Sequence, residues 1–151
     1  MSVDQFITQL CHHCGLTEQD FQVAITQDEE RLHVNLEVSD DFKSIFIGSR
    51  GETLDAIELV VRMIFQQEYP DHKIVFDIGG YREQRELRLQ EKAIAIALRV
   101  QETGRDYSFG RLNSYERYLI HKAVSQDPQL TDIETVSEDT PEGRILIVRV
   151  K

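Results

Sequence analysis

The sequence predicts an α+β fold, two small sheets with helices packed on them, and three observations carry that expectation. Leu32, Val34, Leu36 and Val38 alternate with polar residues, as do Ile74, Phe76 and Ile78, the period-two signature of half-buried strands. Leu54, Ile57, Val61, Ile64 and Phe65 return instead at helical spacing. The two kinds of segment follow the order helix–strand–strand–helix–helix–strand over residues 1–80 and helix–strand–helix–strand–strand over residues 81–151.

Each element has its own signal. Val3, Phe6, Ile7 and Leu10 mark a first helix that Gly15 ends. Phe21 to Thr26 reads as a strand, and Gln27 to Glu30 as a polar turn into the alternating strand 32–38. Asp40-Asp41 caps a short helix through Phe42, Ile45, Phe46 and Ile47, stopped by Gly48. The helix after Gly51 is broken at Tyr69-Pro70-Asp71, and the strand 74–78 runs into Gly79-Gly80. A long helix from Tyr81 to about Thr103 closes at Gly104, and a weak strand covers Tyr107 to Phe109. Asn113-Ser-Tyr-Glu116 has the capping-box pattern and opens a helix to about Ser125. Ile133 to Val136 and Ile145 to Val150 form a hairpin across the loop Ser137–Gly143.

Composition narrows the function. The chain has 151 residues, 40% hydrophobic and 29% charged, which suits one ordinary domain or two small ones. Seventeen basic residues against 27 acidic ones give a net charge of −10, which excludes a general polycation that coats nucleic acid or anionic lipid. The excess is local: residues 1–80 carry 5 Lys/Arg against 15 Asp/Glu, whereas residues 81–151 carry 12 of each. Any nucleic-acid site must therefore be local, which screening over a Debye length of ~8 Å permits. No apolar run approaches the roughly 18 residues of a membrane span. The start Met1-Ser2-Val3-Asp4-Gln5 lacks a secretory signal, and two cysteines make no disulfide framework, so a cytoplasmic protein is expected.

Ile47-Gly48-Ser49-Arg50-Gly51 joins a short helix to a longer one. Glycines without Cβ let a sugar-phosphate backbone lie close to the main chain, the amides opening the next helix favour a phosphate, and Arg50 adds a charge at the tip. A Gly-x-x-Gly loop of this kind clamps about four nucleotides in KH domains. Four letters alone favour an ordinary helix–helix turn; the flanking apolar helices and the following strand set them where a KH module needs them.

The stretch from Ile47 to Ala56, followed by Phe76-Asp-Ile-Gly-Gly-Tyr-Arg-Glu83, resembles the KH region of bacterial Jag-type proteins. Those proteins join a KH domain to an R-3-H domain, named for an Arg and a His with three residues between them, and Asn113-Ser-Tyr-Glu-Arg117-Tyr-Leu-Ile-His121 is similar to that second piece. The resemblance covers roughly residues 31–150. It implies a KH domain of type II-like order with an N-terminal helix over residues 1–80, and an R-3-H domain over 81–151. It further implies single-stranded nucleic-acid binding, mainly RNA with single-stranded DNA as the alternative, no catalysis, and a KH-family protein partner. Family members often carry an additional N-terminal domain and linker. This sequence starts almost directly at the KH region, so a function of that piece is not expected of it.

Arg117 and His121, at i and i+4, project from one helix face with Ser114 and Ser125 beside them. Tyr115, Leu119, Ile120, Ala123 and Val124 supply the apolar remainder. The polar stripe suits phosphate or ribose contact, since Arg offers a fork of donors and His a hydrogen bond. The bland reading is a solvated face with Arg117 paired to a carboxylate. On the long helix Arg85, Arg88, Lys92 and Arg99 fall within an arc of roughly 60° at ~100° per residue, with Arg82 at its edge. Leu87, Ile94, Ala97 and Leu98 lie on the far side, toward a core. This makes a basic ridge linking the two modules, unless the interleaved Glu83, Glu86 and Glu91 pair with it.

Other signals carry less. Cys11-His12-His13-Cys14 on one helical turn cannot surround a tetrahedral ion, so no metal or cofactor is expected. Phe42, Phe46, Phe65 and Phe76 are spaced like core residues. No nucleophile or spaced carboxylate pair supports an enzyme. Asp40, Asp41, Glu52 and Asp55 crowd the glycine loop and predict modest, salt-dependent affinity. The expectation is a non-catalytic single-stranded RNA binder that uses Gly48, Ser49, Arg50, Gly51, Arg82, Arg85, Arg88, Arg117 and His121. The alternative is a protein-interaction module of KH shape, which the acidity of residues 1–80 favours.

Overall fold

Ser2 opens the first helix with a capping box, its hydroxyl accepting from the Gln5 amide while the Gln5 side chain accepts from the Ser2 amide. This helix, α1 (Val3–His13), buries Val3, Ile7 and Cys11 along one stripe. The computed structural model describes all 151 residues, which form two units, Met1–Arg82 and Glu83–Lys151.

In the first unit β1 (Phe21–Gln27), β2 (Arg31–Val38) and β3 (Lys73–Ile78) form one sheet in that order. β1 pairs antiparallel with β2 through the turn at Asp28, whose carboxylate accepts from the Glu30 and Arg31 amides. β2 and β3 are parallel, with Leu32 opposite Ile74, Val34 opposite Phe76 and Leu36 opposite Ile78. A parallel pair needs a long crossover, and two helices supply it: α2 (Asp40–Ile47) and α3 (Glu52–Phe65), joined by the single 3₁₀ turn Ser49–Gly51. The inward side chains of β2 and β3 meet Val3, Ile7, Phe46, Leu54, Val61 and Phe65 in one core, where Phe6 and Phe65 pack edge to face at 5.8 Å.

The second unit contains α4 (Tyr81–Thr103) from Glu83 onward, then β4 (Tyr107–Phe109), α5 (Ser114–Gln126), β5 (Ile133–Thr140) and β6 (Gly143–Val150). Its sheet is antiparallel throughout, in the order β4–β6–β5. Ala93, Ala97 and Val100 of α4, Ile120 and Val124 of α5, and Phe109, Ile133, Leu146 and Val148 of the strands make a separate core. Asn113 caps α5 with the capping box that its sequence predicts.

The structure corrects several details. Ser39, not Asp40 or Asp41, is the N-cap of α2. The segment 137–143 is no loop: β5 and β6 stay paired to Thr140 opposite Gly143, and Pro141-Glu142 makes the turn. The ladder continues because an exposed hairpin can hold polar residues on both strands without a burial cost. Ile64 and Leu87 are largely exposed, whereas the core stripe of α3 runs Leu54, Ile57, Val61, Phe65, with Glu58 half-buried beside it. Glu58 stands among apolar residues because its carboxylate accepts the Phe76 amide at 3.1 Å. Tyr115 is also exposed, not part of the apolar remainder of α5.

Candidate nucleic-acid interface

Three of the four residues in the bend between α2 and α3 have positive φ: Gly48 at 71°, Arg50 at 56° and Gly51 at 88°. A Cβ on Gly48 would stand 2.1 Å from the Thr53 hydroxyl oxygen and 2.9 Å from the Thr53 amide nitrogen. One on Gly51 would meet the Tyr81 ring at 3.1 Å. The fold itself therefore requires both glycines, independently of what approaches the bend. Ser49 and Arg50 stay exposed at its tip, and the first turn of α3 follows directly.

The acidic side chains beside the bend are partly neutralised. Arg82 donates to Asp55 at 3.0 Å and to Glu58 at 3.1 Å. The guanidinium expected at the edge of a basic ridge is thus held against two carboxylates of α3. On α2, Lys43 pairs with Asp40 at 2.8 Å, which holds the Asp40 carboxyl below its ordinary pKa.

In the second unit Arg85 donates to the Glu116 carboxylate through Nε, at 3.0 Å, and through Nη2. Glu116 is the one charged residue of the buried core, so Arg85 meets an internal partner there. Arg88 is exposed and donates to Gln84 at 3.2 Å, and Lys92 lies 5.8 Å from the centroid of the Phe109 ring.

Arg117 and His121 do share a face of α5, and the structure gives that face a concavity. A pocket of about 280 Å³ gathers Arg117, Tyr118 and His121 from α5, Thr135 and Ser137 from β5, and Arg144 from β6. Arg117 donates to the Leu112 carbonyl at 2.7 Å and to the Ser114 hydroxyl at 3.0 Å. No carboxylate neutralises it, contrary to the bland reading of that face. His121 Nδ1 and the Thr135 hydroxyl share a hydrogen bond. Arg144 stands at 3.9 Å from Asp139, the residue opposite it in the hairpin, so its nearest counter-ion is loosely held. Two guanidinium groups, an imidazole and several hydroxyls around one depression make a chemical environment for an oxyanion such as a phosphodiester.

Tyr118, Thr135, Ser137 and Arg144 were not apparent from sequence. Thr135 and Ser137 follow Ile133 on the core-facing register of β5, opposite Val148 and Leu146. Hydroxyls where the period-two pattern calls for apolar side chains were the one local signal available. The Cys-His-His-Cys turn is dispersed: Cys11 is buried, Cys14 exposed, and His12 and His13 bond the Leu16 and Gln9 carbonyls. No helix of the chain is long and apolar enough to cross a membrane.

Residues 87–150 match the family model of the R-3-H domain, the type that the resemblance around Arg117 and His121 implies. The chain is also homologous to proteins named RNA-binding protein KhpB. It is 32% identical to that of Clostridium symbiosum over 133 residues, which cover 87% of this chain and 58% of the relative. Against the Bacillus subtilis protein the identity is 27% over 128 residues, 84% of this chain and 61% of the relative. Against the Streptococcus pneumoniae protein it is 25% over 134 residues, 88% and 40%. This chain spans between two fifths and about three fifths of the length of these curated relatives.

Proposed function

We propose that the chain is a non-catalytic cytoplasmic RNA-binding protein that holds single-stranded RNA by its backbone. The observation that carries this reading is the depression on the second unit, where Arg117, His121 and Arg144 converge with hydroxyls and no carboxylate neutralises Arg117. The relatives named as RNA-binding proteins support it, as does the R-3-H match across that unit. Phosphate oxygens accept from the guanidinium groups and a ring N–H of His121, while the hydroxyls contact ribose.

The first unit is read as a KH domain with an added N-terminal helix. Its order of elements, its parallel β2–β3 pair and its Gly-x-x-Gly bend support that reading. In this reading Gly48 to Gly51 receive the sugar-phosphate chain, with Arg50 at the tip, and Arg82 acts by neutralising Asp55 and Glu58 rather than by touching RNA.

A second reading, a protein-interaction module of KH shape, draws on one specific feature. Leu59, Val60, Met63 and Ile64 of α3, with Ile45 of α2, leave large apolar side chains exposed on an acidic unit. Such a face suits a protein partner, a KH-family protein by resemblance.

Titration of a labelled single-stranded RNA at two salt concentrations separates the readings. With backbone binding, affinity falls steeply as salt rises, and the double change Ser49→Asp with Arg50→Asp lowers it more than about tenfold, a loss of ~1.4 kcal/mol. No RNA binding at either salt, with self-association or capture of a KH protein abolished by Met63→Asp, would establish the second reading instead.

A further inference from the structure

Two tyrosines stand beside the phosphate-like depression with no structural task that accounts for their exposure. Tyr115 is 54% exposed and Tyr118 53%, both on the solvent side of α5. Their rings lie near parallel, 26° apart, with centroids 6.3 Å from one another. Tyr118 also forms part of the pocket wall that holds Arg117, His121 and Arg144. Tyr115 is steadied by its hydroxyl, which donates to Glu86 at 3.4 Å, and the Glu86 charge holds that phenol above its ordinary pKa. Lys122 reaches over the Tyr118 ring at 5.9 Å from its centroid, near the outer limit of a cation–π contact.

We propose that Tyr118 and Tyr115 form a base-stacking step, so that a strand whose phosphate occupies the Arg117–His121–Arg144 depression lays its adjoining unpaired bases on these rings. The inference rests on the RNA-binding reading of that face and specifies what the face selects. Large rings on a well-formed helix are already ordered, so a base that stacks on them loses little additional freedom. Stacking accepts any base, which fits a site with hydroxyls and cations but no array of amide side chains to read base edges. It also rejects duplex, whose bases are already stacked on each other. The ammonium of Lys122, loosely placed on a flexible stem, moves aside to the next phosphate when a base covers the Tyr118 ring.

The test compares two strands on the full chain: a 12-nucleotide oligoadenylate and a ribose-phosphate strand of equal length without bases. The native chain should bind the oligoadenylate at least about fivefold more tightly, from the usual strength of base–aromatic stacking. Tyr118→Ala should remove most of that preference and Tyr118→Phe should restore it, while Tyr115→Ala, outside the pocket wall, should lower the preference and leave affinity for the abasic strand unchanged. Arg117→Ala should weaken both strands alike. Equal binding of both strands by the native chain, or a Tyr118→Ala protein that keeps the full preference, overturns the stacking step while leaving phosphate binding in place. Failure of the native chain to bind either strand removes the RNA reading of the face, and the stacking step with it.

Discussion

Arg85 on α4 donates to one carboxylate oxygen of Glu116, and the other oxygen accepts the Asn113 amide at 2.9 Å that closes the capping box of α5. A single buried anion therefore fixes both the start of α5 and its seat on α4. Because Arg117 is the next residue, the pocket inherits its geometry from this pair. Replacing Arg85 by Ala would leave Glu116 buried without its cation.

The expected cost of Arg85→Ala is about 3 kcal/mol, the range for removing one partner of a buried pair. Urea unfolding of the full chain measures it, and RNA affinity per folded molecule should change little. An unaltered unfolding midpoint combined with a weaker RNA complex would instead make Arg85 a direct contact. Arg88→Ala is the control: exposed and bonded to Gln84 in the long helix, it should cost less than about 0.5 kcal/mol.

Gly48→Ala should destabilise the first unit by about 2–4 kcal/mol, since left-handed strain and overpacking act together. The new methyl would face the side chain and the amide nitrogen of Thr53, so trimming Thr53 relieves only part of the clash. Circular dichroism during chemical unfolding reports the loss. A Gly48→Ala chain as stable as the original would mean that the bend relaxes freely. Gly15→Ala, where nothing lies within 4 Å, isolates the strain of positive φ from the clash.

How much could be read in advance follows from where each signal resides. The strands β2 and β3 were legible because one face of each is buried, so every second residue had to be apolar: Leu32, Val34 and Leu36 against Ile74, Phe76 and Ile78. The cap of α5 was legible because its partners lie three residues apart. Arg82 and Arg85 were not, because their anions lie at Asp55 and Glu58 and at Glu116, far along the chain, and helical spacing says nothing about such pairs. Ile64 and Leu87 failed because an apolar residue near a core stripe need not belong to it. The full length of the hairpin failed because Ser137 to Thr140 is polar on both faces and leaves no alternation to follow.

Cys11 gives a prediction with a defined sign. Burial pushes its thiol from 9.0 to about 11, with Cys14 a smaller second cause. The folded chain therefore holds this proton more tightly than the unfolded one. Its contribution to stability is constant below pH 8 or so and declines as pH rises from about 9 to about 11. At pH 8 a maleimide should label exposed Cys14 quickly and Cys11 only as α1 opens, so counting labels over time by mass spectrometry separates the two. Two labels arriving at the same fast rate would mean that α1 does not shield Cys11.

Arg144 is the residue most informative about the pocket, because it comes from β6 and has no place in the Arg-x-x-x-His pattern. If it touches phosphate, Arg144→Gln should weaken RNA binding about uniformly across sequences and reduce the slope of log affinity against log salt by about 1. Arg117→Gln should do the same. Asp139→Asn should act in the opposite direction, since it removes the carboxylate 3.9 Å from Arg144 and leaves the guanidinium to the ligand. Because Arg144 and Asp139 are both largely exposed, neither change should shift the unfolding midpoint by more than a few tenths of a kcal/mol. Affinity that ignores all three changes would place the RNA elsewhere on the chain. Affinity that follows Arg117 but not Arg144 would confine the contact to α5.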